Sequence, residues 1–270
     1  MLLVGDDVVD SNYKKAIENK KRYSDVLLAV RILEERAKGN TSEWFPYLSE
    51  LPTYQEYTTF HPMAASQSEI ARFQALPTVQ RVRAKKEEIK RVFHFLGVDK
   101  KWEWEAFWYA YITYISRAYG ITIKAHDGTE MWMAAIGPFA DLANTISPQS
   151  TINSKWQYSQ TLQEFQVITT EAVAAGHELY ESYQISSIKD NSFLAYMFGF
   201  TLANNRKQVQ QLGSTACRKM LHPRQEEATS KISQLLYSLA VEHCVATGEV
   251  LEADTDSSTS IKSKTGTANG

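Results

Sequence analysis

Apolar side chains recur at helical spacing through the first half of the chain and change to shorter, turn-punctuated runs after Gly120. Residues 24–38 place Val26, Leu27, Val30, Leu33 and Ala37 on one face, with Ser24 as an N-cap and Gly39 as a stop, which predicts an amphipathic helix. A short helix is predicted over 42–48, ended by Leu51-Pro52, and residues 54–60 read as irregular. A helix is predicted over 77–95. Residues 102–120 carry Trp102, Trp104, Phe107, Trp108, Tyr111, Tyr114 and Tyr119, a helix that must be buried on more than one side. Strands are predicted over 121–123, 132–136, 164–170 and 178–183, with Pro138, Pro148 and Gly176 between them. Helix returns over 192–202 and 225–246, and residues 253–270 form a polar tail without apolar anchors.

Composition narrows the function classes. The 270 residues are 43% hydrophobic, enough for a folded core, and 29 basic against 31 acidic residues give a net charge of −2. That balance provides no general field for nucleic acid or an anionic membrane. The basic run Arg81, Arg83, Lys85, Lys86, Lys90 and Arg91 is interleaved with Glu87 and Glu88 and reads as a solvated helix face. Cys217 and Cys244 are too few for a disulfide framework or a four-cysteine zinc site, and they read as two inert thiols in a reducing compartment. No signal peptide or stretch of membrane-spanning length is present, so a cytoplasmic or nuclear protein is expected; a monomer is expected as well.

No phosphate-binding loop, dinucleotide turn, zincin helix or nucleophile elbow occurs. Four segments nevertheless stand in a telling order. They are Ser-Glu-Trp-Phe-Pro-Tyr-Leu-Ser-Glu-Leu-Pro at 42–52, the aromatic run from Trp104 that ends in Ser116-Arg117-Ala118-Tyr119, Gly-Pro-Phe-Ala-Asp-Leu-Ala-Asn-Thr at 137–145, and Gly-His-Glu-Leu-Tyr-Glu-Ser-Tyr at 176–183. Asn191, Phe198-Gly199-Phe200 and Asn204-Asn205 follow the last. Together these resemble SET-domain protein methyltransferases of the Rubisco large-subunit methyltransferase and actin-histidine methyltransferase type, over roughly residues 24–205.

The resemblance implies an α+β fold. Its C-terminal part is a SET-domain β fold at 119–205, with a large helical insert at 24–118 and C-terminal helices at 206–252. Residues 1–23 would be the remnant of a first SET segment whose glycine turn walls the cofactor pocket, and its shortening would weaken cofactor binding. The activity implied is S-adenosyl-L-methionine-dependent N-methylation of a lysine or histidine in a protein substrate. The alternative is an inactive SET-derived interaction module. Read as residues alone, Asp141 and Asn144 are turn formers, Arg117 is a surface helix arginine and Tyr183 is a core tyrosine. The resemblance instead makes Tyr183 the catalytic hydroxyl and gives the cofactor Arg117, Asp141, Asn144, Thr145, Asn191 and Phe200. The chain departs from the family where Thr145 replaces a His and Gln184 a Gly.

Overall fold

The structure, a computed structural model, describes residues 3–4, 20–124, 130–146, 151–183, 190–203, 205, 211–221 and 230–244. Six helices precede the strands that build the site: α1 (Lys20–Ala37), α2 (Phe45–Leu48), α3 (Tyr54–Phe60), α4 (Gln67–Arg72), α5 (Pro77–Phe95) and α6 (Trp104–Arg117). The central helix is α6, with every residue from Phe107 to Thr113 buried. Its polar ring tips find partners: the Trp108 Nε1–H donates to Met63 O at 3.0 Å, and the Tyr111 hydroxyl donates to Asp25 Oδ2 at 3.1 Å. Alongside it lies α1, which buries Val26 to Val30, Ile32 and Leu33. On α5 the expected charged face is present, and its Lys86 and Lys90 ammonium groups sit 5.7 and 5.8 Å over the Trp108 and Trp104 rings.

Residues 54–60, expected to be irregular, form α3. Thr53 accepts from the Glu56 N–H and Glu56 reaches back to the Thr53 N–H, a capping box that starts a helix without an apolar stripe.

The chain turns from helix to sheet at Ala118, whose extended backbone ends α6. Strands β2 (Tyr119–Lys124) and β3 (Glu130–Ile136) are antiparallel, and β1 (Leu3–Val4) adds to the far side of β3. Gly120 in β2 leaves room for the Trp132 ring, since a Cβ there would approach the Trp132 Nε1 to 2.8 Å and the ring would have to shift. A hairpin follows, of β4 (Ser154–Ser159) and β5 (Glu164–Thr169). The predictions missed β4. The strand predicted over 178–183 is instead a threaded segment with two isolated parallel bridges, Asn144 to Tyr180 and Ser154 to Glu181. It passes between the turn after β3 and the start of β4, and pairs with one residue of each.

Three helices complete the described residues: α7 (Asn191–Phe198), α8 (Ser214–Leu221) and α9 (Lys231–Cys244). Cys217 and Cys244 are joined in a disulfide, which corrects the reading of two inert thiols. The two helices pack on one another in a cluster with Phe73, Leu76 and Val79, and that packing brings the sulfurs together. The tail at 253–270 lies outside the described residues.

Candidate functional site

Three of the four sequence segments meet at one carboxylate. The single 3-10 turn Ala140–Leu142 follows β3 and buries the Asp141 side chain almost completely. Asp141 Oδ2 accepts from Arg117 Nη1 at 2.9 Å, from the last turn of α6, and from the Tyr47 hydroxyl at 2.6 Å, from α2. Burial raises the Asp141 pKa, against the lowering effects of the Tyr47 hydrogen bond and the Arg117 charge. For Arg117, burial works against the charge, but neighbouring Tyr57 and Asp141 outweigh it and the guanidinium stays firmly charged.

The fourth segment is stitched to the same turn. The Tyr183 hydroxyl donates to Ala143 O at 2.8 Å, and the Glu181 N–H donates to Asn144 O at 2.9 Å. Residues 141–144 and Tyr183, forty positions apart, are thus two walls of one site. Tyr183 packs against Phe198 and Phe200, with ring centroids at 4.7 and 6.0 Å. Burial and then the Glu181 charge push the Tyr183 pKa up to about 12, so its hydroxyl is neutral at physiological pH.

Two clefts share this wall, and both include Arg117, Asp141, Tyr183 and Phe198. One adds Tyr119, Gly120, Trp156 and Glu181 and is aromatic. The other adds Tyr57, Phe60, Leu142, Asn144 and Phe200. The exposed Asn144 side chain holds Glu178 Oε1 at 2.6 Å.

Several buried polar atoms at the site have no hydrogen-bond partner among the described residues: Arg117 Nε, Asp141 Oδ1, Thr145 Oγ1 and Glu181 Oε2. Native proteins leave few buried polar groups unpaired, and three of these atoms belong to Arg117, Asp141 and Glu181, which line the aromatic cleft together.

Of the predicted site residues, the structure brings together Tyr183, Arg117, Asp141, Asn144 and Phe200. Thr145 follows Asn144 with its hydroxyl buried and unpartnered. Asn191 lies elsewhere: its amide donates to Glu242 Oε1 at 2.6 Å and Leu202 O at 3.2 Å and accepts from the Leu202 N–H, which ties α7 to α9. Gln184 lies outside the described residues. Sequence reading missed Tyr47, Tyr119 and Glu181. The signal for Glu181 was its spacing from Tyr183, since residues two apart in an extended segment share a face.

No protein-family profile and no curated protein sequence matches the chain. Solved structures do. The structure of Rubisco LSMT bound to AdoMet aligns with a TM-score of 0.56 at 20% identity, covering 76% of this chain and 45% of that one. The SET domain of LSMT bound to lysine and AdoHcy aligns with a TM-score of 0.56 at 20% identity, covering 74% and 46%. Rubisco LSMT bound to sinefungin and monomethyllysine gives 0.55 at 20% identity, covering 76% and 45%. The chain therefore has the α+β fold of a SET domain with helices around it, and spans a little under half the length of the structures it matches.

Proposed function

We propose that this protein is an S-adenosylmethionine-dependent protein N-methyltransferase acting on a lysine or histidine side chain. The observation that carries the reading is the wall the two clefts share: Tyr183 and Arg117 line both, so that a donor in one and an acceptor in the other can meet at Tyr183. The neighbouring folds bound to AdoMet and to lysine add support.

The residues fit the cofactor. The cleft with Asn144, Arg117 and Phe200 offers the amide oxygen of Asn144, whose Nδ2 is held by Glu178, a cation with an unpaired N–H among the described residues and an aromatic face, which suit a zwitterionic amino-acid end and an adenine. When bound, the cofactor supplies an electrophilic methyl group on a sulfonium. Displacement at that carbon is in line, so the protein must align the acceptor, keep water out and present a neutral nitrogen. The Tyr183 hydroxyl, held by Ala143 O, keeps its lone pairs for an amine N–H and fixes the direction of approach. The Tyr47–Asp141–Arg117 cluster holds the turn that carries Ala143, and so positions Tyr183 indirectly.

Calorimetric titration with S-adenosylmethionine tests the first step, and transfer of labelled methyl to lysine- or histidine-containing protein tests the second. Tyr183→Phe is expected to lower the transfer rate about 100-fold or more with cofactor affinity nearly unchanged, since the hydroxyl acts on alignment and not on anchoring. Unchanged transfer in that variant would remove Tyr183 from the mechanism. An inactive protein-binding module is the second reading, favoured by Thr145, whose buried hydroxyl is unpartnered where the family has a histidine. Absence of cofactor binding would favour it.

A further inference from the structure

Glu181 is an unusual group to find in an aromatic cleft. Its side chain is almost fully buried, and it shares the cleft with Tyr119, Trp156, Tyr183 and Arg117. One carboxylate oxygen, Oε1, accepts from the Tyr119 hydroxyl at 2.7 Å. The other, Oε2, is buried and has no partner among the described residues. A carboxylate kept for structure alone would be expected to have its second oxygen on an N–H or a cation, because a buried unpaired charge is among the costliest features a fold can carry. Arg117 lines the same cleft, but its Nη1 is committed to Asp141 at 2.9 Å. With Glu181 and Asp141 both ionised against Arg117, the lining of the cleft carries one excess negative charge.

We propose that Glu181 is a specificity-determining residue that reads the acceptor side chain in its charged binding form, before the proton is shed for transfer, with Oε2 receiving an N–H of an alkylammonium group whose stem lies between Tyr119, Trp156 and Tyr183. The proposal deepens the methyltransferase reading and rests on it for the identity of the aromatic cleft as the acceptor side. The surroundings suit the ligand. Tyr119, Trp156 and Phe165 form a ring cluster, with centroids of Tyr119 at 5.0 and 4.7 Å from the other two, and such faces take both the methylenes and the charge of a lysine side chain. A neutral side chain of the same shape would leave Oε2 unpaired, so the site discriminates by the penalty it imposes as well as by the bond it offers.

The groups facing Glu181 set the pH at which it reads charge. Burial raises its pKa to about 7, the Tyr119 hydrogen bond opposes that rise and the Asp141 charge adds to it. Above about pH 7 the carboxylate is ionised while a lysine ammonium, with an ordinary pKa of about 10.4, is still charged. Affinity for a cation should therefore rise through neutral pH.

The test is titration of free L-lysine, and of norleucine as its uncharged counterpart, into the full chain at pH 6 and pH 8.5, with and without S-adenosylhomocysteine. Wild-type protein is expected to prefer lysine, more strongly at pH 8.5. Glu181→Gln should weaken lysine binding about tenfold or more, leave norleucine little changed and abolish the pH dependence. A native far-UV spectrum and a cooperative thermal melt of Glu181→Gln guard against loss through misfolding. Equal lysine affinity in wild type and Glu181→Gln, or no lysine binding by the wild type, would overturn the proposal. Failure of S-adenosylhomocysteine to bind would sink the methyltransferase reading instead, with the lysine arm still readable.

Discussion

Glu181 and Tyr183 face the same cleft, and each is perturbed chiefly by burial, yet the two shifts have different consequences. Raising Tyr183 to about 12 leaves it neutral over the whole working range, whereas raising Glu181 from 4.5 to about 7 places its titration within it. The folded state then holds a proton on Glu181 that the unfolded chain releases above pH 4.5, so stability falls as pH rises from about 4.5 to 7 and is flat beyond. A difference of that size corresponds to roughly 3 kcal/mol. Glu181→Gln should therefore be more stable than wild type at pH 8 and gain little at pH 4.5, as read by denaturant midpoints; an equal difference at both pH values would show that Glu181 titrates normally. At this scale Tyr183, Asp141 and Asn144 were legible because motif context raised them above ordinary turn and core residues. For Glu181 the spacing from Tyr183 gave the shared face but not the burial, because burial of a carboxylate depends on β4, on the hairpin with β5 and on Tyr119, none of which is local to it.

The site is held by turns and helix ends, not by the interior of any one element. Asp141 sits in a single 3-10 turn, Arg117 in the last turn of α6 and Tyr47 in a four-residue helix. Residues at such ends carry little periodic signal, which is why the 3.6-residue pattern predicted α5 and α6 well but revealed neither Tyr47 nor the capping box that starts α3. A second element end supports the Tyr183 wall from behind. His61 ends α3 fully buried, with Nδ1 accepting the Met63 N–H at 3.2 Å, so that the proton is on Nε2 and donates to Met197 O at 3.3 Å. Gly199, just beyond α7, has φ +78° and lies against the His61 and Phe60 rings, where a Cβ would come within about 3.0 Å. Burial lowers the His61 pKa from 6.5 to about 4, offset in part by its bond to Met197 O. The folded state therefore favours the neutral ring: its contribution is complete above about pH 6.5 and is lost as pH falls toward 4. His61→Leu is expected to cost about 1–3 kcal/mol at pH 7.5, through the two backbone groups it orphans, and to flatten the acid side of the stability profile. An acid slope as steep in the variant as in wild type would assign it to other groups.

Among the described residues the buried apolar side chains form three clusters: one around α1 and α6, one around α8 and α9, and a small one on the sheet. The change of hydrophobic period at Gly120 marks the passage from the first to the third, but nothing in the pattern indicated that the C-terminal helices would build a cluster with residues of the α4–α5 region. Phe73, Leu76 and Val79 come from there, and they are too far from α9 in the chain for any local window to connect them. The same distance hid the disulfide. Two cysteines 27 residues apart read as isolated thiols until α8 and α9 are packed, and packing then sets their Cα atoms 5.8 Å apart, within the range a disulfide spans. Closing a loop of that length removes conformational freedom from the unfolded chain worth about 3–4 kcal/mol. For a chain of this size that is a fall in Tm on the order of 10 °C on reduction. Thermal melts with and without dithiothreitol, compared with the double variant C217A/C244A, measure it; the reductant should shift wild type toward the variant and leave the variant unmoved. Because α9 also holds Asn191 through Glu242, and Asn191 opens the helix that ends at Phe198, reduction should loosen the Phe198 side of the Tyr183 wall before it disturbs the Asp141 side, which is anchored to α2 and α6. Hydrogen exchange under reducing conditions is expected to rise first over 191–198 and last over 107–117, and the reverse order would mean that the two clusters unfold independently of the disulfide.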